Sequence, residues 1–187
     1  KDELFTNSPA TYHFIYIGRL LDVKFPDDIL RAFNVICKTM PGCALIMAGD
    51  GPMRADLEKM ALEMDIQTRV HFLGSISQDR LANLLGGCFA VLSTLTGRSL
   101  VEGALAGLPI VAYDRDWQLD FISRNSAGVI VPFRDWQKMA ESAVHLIRDP
   151  EEAKRMGAAS RKTGVEASDT EKIYEHERSE FDKILKR

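Results

Sequence analysis

Tyr12-His13-Phe14-Ile15-Tyr16-Ile17-Gly18-Arg19 is the stretch on which the fold turns. Nearly unbroken apolar character, carried by aromatic and β-branched side chains, ends abruptly on a glycine and a cation. Such a run is too short for an ordinary helix and suits a strand buried on both faces. Glycine lets the chain turn tightly there, so the next residues stand at the strand's carboxyl end.

Runs of the same kind recur at 44–47, 70–73, 89–92, 110–113 and 129–131, and the segments between them carry helical periodicity. Ile29, Leu30, Phe33, Ile36, Cys37 and Met40 form one apolar stripe; Leu57, Met60, Ala61 and Met64 form another. Leu81, Leu84 and Leu85 suggest a third helix, 100–105 a fourth, and Met139, Ala143 and Leu146 a later one. Strand–helix alternation predicts an α/β fold: a Rossmann-like, doubly wound parallel sheet of six strands, with helices on both faces and a C-terminal helical extension. After Asp149 no strand signal remains. Ser168 and Glu171 have capping-box spacing before a charged helix over 171–186, read either as a solvated helix or as one made to pack on a neighbouring domain.

The chain has 187 residues, which suits one such domain. Apolar residues make up 45% and charged residues 27%, and the net charge of −3 gives no general pull towards nucleic acid or anionic lipid. Cys37, Cys43 and Cys88 sit in apolar sequence without metal-ligand spacing and read as reduced core thiols. Lys1-Asp2-Glu3-Leu4 spells a retention signal that works only at a C-terminus and is coincidence here. No run is long and apolar enough for a membrane span, and the opening residues lack a signal peptide's apolar core. The expected location is the cytoplasm.

In open parallel sheets, ligands bind beyond the carboxyl ends of the strands, where the strand order reverses. Glycines and short polar residues gather at those ends here: Gly18-Arg19, Gly49-Asp50-Gly51-Pro52, Gly74-Ser75, 93–97 and Asp114-Arg115-Asp116. Any one of these clusters is what a βα turn needs without a ligand; five in series, with cations after the first, make a stronger case. Arg19 and Lys24 lie five apart, within reach of one anionic group, unless they are simply two surface cations. Gly97 precedes a helix whose first N–H groups lack intrahelical partners, a ready phosphate site. Glu102 either completes a capping box with Ser99 or accepts hydrogen bonds from a ribose diol. No Gly-x-Gly-x-x-Gly, Walker lysine, His-Glu-x-x-His or Gly-x-Ser-x-Gly motif is present, which disfavours a dinucleotide cofactor and gives no metal site. His13, His71, His145 and His176 are scattered, and His13 and His71 read as core or sheet-edge residues.

Over 14–164 the sequence resembles the C-terminal domain of the group 1, family 4 retaining glycosyltransferases, which have the two-domain GT-B fold. The matching residues are Ile17-Gly18-Arg19-Leu20 with Lys24, Ala48-Gly49-Asp50-Gly51-Pro52, Val70-His71-Phe72-Leu73-Gly74, Gly97 with Glu102, Ala106-Gly107-Leu108-Pro109-Ile110-Val111-Ala112 and Gly128-Val129-Ile130-Val131-Pro132. The resemblance implies that Arg19 and Lys24 grip the donor diphosphate and stabilise the departing nucleotide without a metal. It implies that Glu102 binds the ribose, that backbone near Gly74 holds the base, that Gly18 also contacts the donor, and that the amides of Arg98, Ser99 and Leu100 after Gly97 cradle phosphate or sugar. No cofactor is implied beyond the nucleoside-diphosphate sugar, linked to UDP or GDP, as donor.

Three departures from the family pattern stand out. Thr94 stands where a glutamate usually contacts the donor sugar, Phe25 where a glycine follows the lysine, and Asp116-Trp117 where paired glycines follow the fifth strand, with Asp120 in place of a common glutamate. A divergent subgroup with a reshaped sugar pocket is expected. The resemblance also implies a missing N-terminal acceptor domain, through which the full enzyme would make any peripheral membrane contact. Residues 1–11 then read as a linker remnant, 12–168 as the nucleotide-sugar-binding domain and 169–187 as a helix packing towards the missing half. This reading makes the fragment alone inactive in transfer. The competing reading is a non-catalytic nucleotide-sugar-binding module, a lapsed transferase or sensor subunit; an epimerase on the same fold fits the arginine–lysine spacing less well.

Overall fold

A computed structural model of the chain describes residues 2–7, 9–95, 97–123 and 125–169. Its strands are β1 (Tyr12–Ile17), β2 (Cys43–Ala48), β3 (Val70–Gly74), β4 (Ala90–Ser93), β5 (Ile110–Tyr113) and β6 (Gly128–Val131). They pair in the order β3-β2-β1-β4-β5-β6, with every neighbouring pair parallel. The expected doubly wound α/β fold is what forms, and the order reverses between β1 and β4.

The strands read as continuous apolar runs because both faces are covered, yet the pleat still sorts their side chains. Phe14 and Tyr16 of β1, Leu45 and Met47 of β2 and Val111 and Tyr113 of β5 enter one core. Ile15 and Ile17, Ile46 and Ala48, and Ile110 and Ala112 enter the other. The helices are α1 (Glu3–Asn7), α2 (Pro26–Thr39), α3 (Arg54–Glu63), α4 (Gln78–Leu85), α5 (Ser99–Leu105), α6 (Trp117–Ser123), α7 (Trp136–Arg148) and α8 (Pro150–Ser168). Leu30 and Phe33 of α2, Leu57 of α3 and Met139 of α7 fill the first core. Leu84 of α4, Leu100 of α5 and Ile122 of α6 fill the second.

Three helices went unnamed in the sequence reading. α1 lays Phe5 edge-on against the His13 ring, 4.8 Å between centroids, on the second face. α6 has only seven residues and leaves Trp117 and Leu119 substantially exposed, so it shows no clean stripe. α8 buries small residues, Ala153, Gly157, Ser160, Thr163 and Gly164, and lies close against the chain around α5. Ser168 ends α8, and its hydroxyl donates back to the Gly164 carbonyl, 2.8 Å. The capping box expected with Glu171 and the helix expected over 171–186 lie outside the described residues.

Candidate functional site

The loop after β1 is built against the turn after β2. Gly18 N–H donates to the Ala48 carbonyl, Leu20 N–H to Asp50, and Met53 N–H back to Leu20, at 2.9–3.1 Å. Gly49 must be glycine, because a Cβ there would fall 1.9 Å from the Gly18 carbonyl oxygen at a φ of +147°. The Arg19 carbonyl accepts from the buried Tyr16 hydroxyl, 3.2 Å, and from Leu21 N–H, 3.0 Å. The Arg19 backbone is therefore fixed, while its side chain is exposed and has no partner among the described residues. A 3-10 turn, Asp22–Lys24, brings up the second cation. Lys24 is half-buried, and its ammonium is likewise unpaired among the described residues.

The end of β4 and the start of α5 close on that loop from the other side. The Thr94 hydroxyl donates to the Lys24 carbonyl, and the Ser99 hydroxyl to that of Ile17, 2.9 Å, at the tip of β1. Both bonds span the strand-order reversal, so Arg19, Lys24 and the amino end of α5 share one edge of the sheet. Gly97 stands in the open, with nothing within 4 Å of where a Cβ would lie. Glu102 lies one turn beyond Ser99 on the same helix face, half-exposed and without a side-chain partner among the described residues. Gly74, at a φ of +67°, meets Gly49 through an isolated bridge.

These positions sharpen two sequence readings. Ser99 is the first residue of α5, the helix has no side-chain N-cap, and the Ser99 hydroxyl is committed to β1. The Ser99–Glu102 capping box is not formed, and the Glu102 carboxylate has no partner among the described residues. Of the three amides expected to face a ligand, that of Leu100 donates to the Gly97 carbonyl, 3.1 Å, while those of Arg98 and Ser99 have no acceptor among the described residues.

The glycosyl transferases group 1 family matches residues 6–163. The chain belongs to this family. The group 1 chain is 27% identical over 158 residues to the GDP-mannose-dependent alpha-(1-6)-phosphatidylinositol monomannoside mannosyltransferase of Mycobacterium tuberculosis, a match covering 79% of this chain and 41% of that protein. It thus spans about two fifths of that relative's length. The fold agrees with that of S. aureus TarM, solved with UDP among its ligands, at a TM-score of 0.80 and 22% identity, covering 90% of this chain and 36% of that one. It agrees with the C-terminal domain of the group 1 family protein LpcC from Francisella tularensis at a TM-score of 0.75 and 18% identity, covering 85% of this chain and 87% of that one.

Thr94, Phe25 and the turn at Asp116-Trp117, read from the sequence as departures, lie close together in the fold. Thr94 is fully buried, its hydroxyl spent on Lys24. Gln118, also fully buried, donates to the Thr94 carbonyl, 3.1 Å, and accepts from the Ser93 hydroxyl, 2.6 Å. Gln118 follows Trp117 directly, so the turn after β5 is fastened to Thr94 at the end of β4. Phe25 holds a left-handed backbone, at a φ of +50°, a conformation that favours glycine. Around it lie residues the sequence reading missed: Asp28, Tyr113, Phe133 and Arg134. Asp28 is fully buried and bound by Arg134 Nε at 2.7 Å, Arg134 Nη2 at 3.1 Å and the Tyr113 hydroxyl at 2.8 Å. Burial pushes the Asp28 carboxyl upward, against the pull of Tyr113 and Arg134. In sequence Asp28 looks like an ordinary acid in a helix's first turn, and nothing pairs it with a residue 106 positions away. Asp50 and Arg54, joined at 3.3 Å, flank Gly74; Asp50 stood in the cluster after the second strand, but its pairing with Arg54 was missed, and their spacing of four is the signal that pointed to it.

Other chemistry-bearing groups sit elsewhere. A cleft of about 840 Å³ lined by Pro41, Cys43, Thr68 and His71 opens at the amino edge of the sheet and shares no residue with the site above. His145, Asp149 and Glu152 bring ligand atoms within 4.8 Å at the α7–α8 junction. There Asp149 caps α8 and His145 bonds Glu152 at 2.7 Å, which accounts for all three. The cysteines are free thiols, and burial pushes Cys43 and Cys88 up to about 12, so both stay protonated.

Proposed function

We propose that this chain is the donor-binding half of a retaining glycosyltransferase that moves a sugar from a UDP- or GDP-linked donor to an acceptor. The observation that carries the reading is the meeting of Arg19, Lys24 and the amino end of α5 with Glu102 at the strand-order reversal, tied by the Thr94–Lys24 and Ser99–Ile17 bonds. Two cations and helix-end amides that have no partner among the described residues suit a diphosphate, and a carboxylate likewise without one suits a diol. Arg19 and Lys24 would grip the diphosphate, the amides at Arg98 and Ser99 would hold phosphate or sugar, Glu102 the ribose, and backbone at Gly18 and Gly74 the rest of the nucleotide. The GDP-mannose dependence of the mycobacterial relative and the UDP held by TarM support this donor class.

In this reading the bond between the anomeric carbon and the diphosphate oxygen breaks, and its electron pair leaves on that oxygen. The acceptor hydroxyl bonds the same face of the carbon and gives its proton to the departing phosphate. Arg19 and Lys24 offset the charge that develops there, so no metal is needed. The acceptor would come from a second domain. Transfer by this chain alone should be negligible, because nothing holds the acceptor in attack geometry. Among the described residues no helix is long and apolar enough to cross a membrane; a cytoplasmic enzyme that meets a membrane only through the second domain is consistent with a relative acting on a phosphatidylinositol monomannoside.

Calorimetric titration with UDP and GDP tests the reading. Arg19→Ala and Lys24→Ala should each weaken the better nucleotide by about tenfold or more, the scale of a charge-assisted contact to phosphate. Indifference of the folded protein to both nucleotides would refute it. Thr94 favours a second reading, a non-catalytic binding module, because its side chain is buried and no carboxylate stands at that position. Activity of the full-length chain, with and without Thr94→Glu, separates the two: turnover only in the variant would make the natural chain a lapsed enzyme.

A further inference from the structure

We propose that Arg134 is a positioning residue for Lys24, acting through the ring of Phe25; the inference rests on the reading of Lys24 as a diphosphate contact. Phe25 directly follows Lys24 and holds a left-handed backbone at a φ of +50°. An aromatic residue is disfavoured there, so the conformation persists only if its surroundings hold it. They do so from one side. The Arg134 guanidinium lies over the Phe25 ring, 4.3 Å from its centroid, and the Phe133 ring meets it edge-on at 5.3 Å. Arg134, also left-handed at a φ of +67°, is in turn gripped by both oxygens of the buried Asp28.

The loop between β6 and α7 thereby reaches across to set the residue beside the candidate cation. The Lys24 backbone is clamped as well: its N–H donates to Leu21 at 2.8 Å, and its carbonyl accepts from Thr94. Where a glycine would leave the joint after Lys24 free to swing, this chain locks it with a stacked cation. Arg134 spends Nε and Nη2 on Asp28, so its part is to hold the joint and not to meet the ligand. The gain is pre-organisation: Lys24 starts in place and loses less freedom when the ligand arrives.

A double-mutant cycle on nucleotide affinity tests this. Arg134→Lys keeps a charge for Asp28 and removes the planar stack on Phe25. It should weaken UDP or GDP binding, whichever the wild type prefers, by about fivefold, and should change nothing in a Lys24→Ala background. Equal losses in both backgrounds, or no loss in either, would overturn the inference. If Arg134→Lys does not fold, Asp28→Asn with Arg134→Met removes the buried charge pair, keeps a partner for Tyr113 and is read in the same cycle. Should Lys24→Ala itself leave affinity unchanged, the Lys24 contact is wrong and the inference falls with it. Binding that depends on Lys24 but is additive with Arg134 leaves the functional reading standing and removes only the positioning role.

Discussion

Thr94 gives its hydroxyl to the Lys24 carbonyl across the sheet's reversal point, and a valine of the same shape would leave that carbonyl without its side-chain donor. Thr94→Val should lower unfolding free energy by about 1–2 kcal/mol, measured by urea denaturation, the cost of one buried acceptor left unmet. An unchanged midpoint would mean that the carbonyl finds another donor. At this scale the sequence was readable wherever a residue broke its setting. Arg19 and Lys24 interrupt the apolar context after β1, and Thr94 and Phe25 depart from a known pattern, so all four were noticed. Asp28, Gln118 and Arg134 looked ordinary, because their roles depend on partners 24 to 106 positions away along the chain.

Elements differed in legibility for a physical reason. Six strands were placed to within about a residue, since burial on both faces makes each a continuous apolar run between turn residues. α8 was missed because what it presents to α5 is smallness. A Cβ on Gly157 would lie 2.4 Å from the Gly107 carbonyl oxygen, and one on Gly164 would lie 2.7 Å from the Leu105 nitrogen. Hydrophobic periodicity cannot register a surface whose fit comes from absent side chains. Gly157→Ala, mild in an isolated helix, should therefore cost more than about 2 kcal/mol here, seen as a fall in the thermal midpoint. A neutral or stabilising result, the usual outcome for glycine to alanine within a helix, would mean that α8 stands farther off than described.

For the whole molecule the clearest test is acid stability. His13 is buried beneath Phe5, and its Nε2 has no partner among the described residues. Burial holds its pKa below the ordinary imidazole value, with His71 adding a smaller push, and burial lowers His71 too. Unfolded, such an imidazole takes its proton near about pH 6.5; folded, it takes it only at lower pH. Stability from these groups is therefore complete above about pH 6.5 and is lost as the pH falls towards the folded values, because the unfolded chain binds the proton first. For His13 the loss approaches about 1.4 kcal/mol per pH unit in that window. His13→Phe should flatten the difference in urea midpoint between about pH 7.5 and about pH 5.5. A variant as acid-sensitive as the wild type would clear His13.

β1 and β2 match along six positions, while β1 and β4 match along only two, Phe14 with Ala90 and Ile15 with Val91. The molecule thus has a short seam down its middle, with 12–74 on one bank and 90–131 on the other. Any small molecule whose phosphate end is held by the first bank and whose sugar end is held by the second would act as a rivet through both. Its presence should register as resistance to melting: at a hundredfold excess over the dissociation constant, occupancy adds about 2.7 kcal/mol, and a scan of candidate donors by melting temperature alone would rank them before any chemistry is attempted.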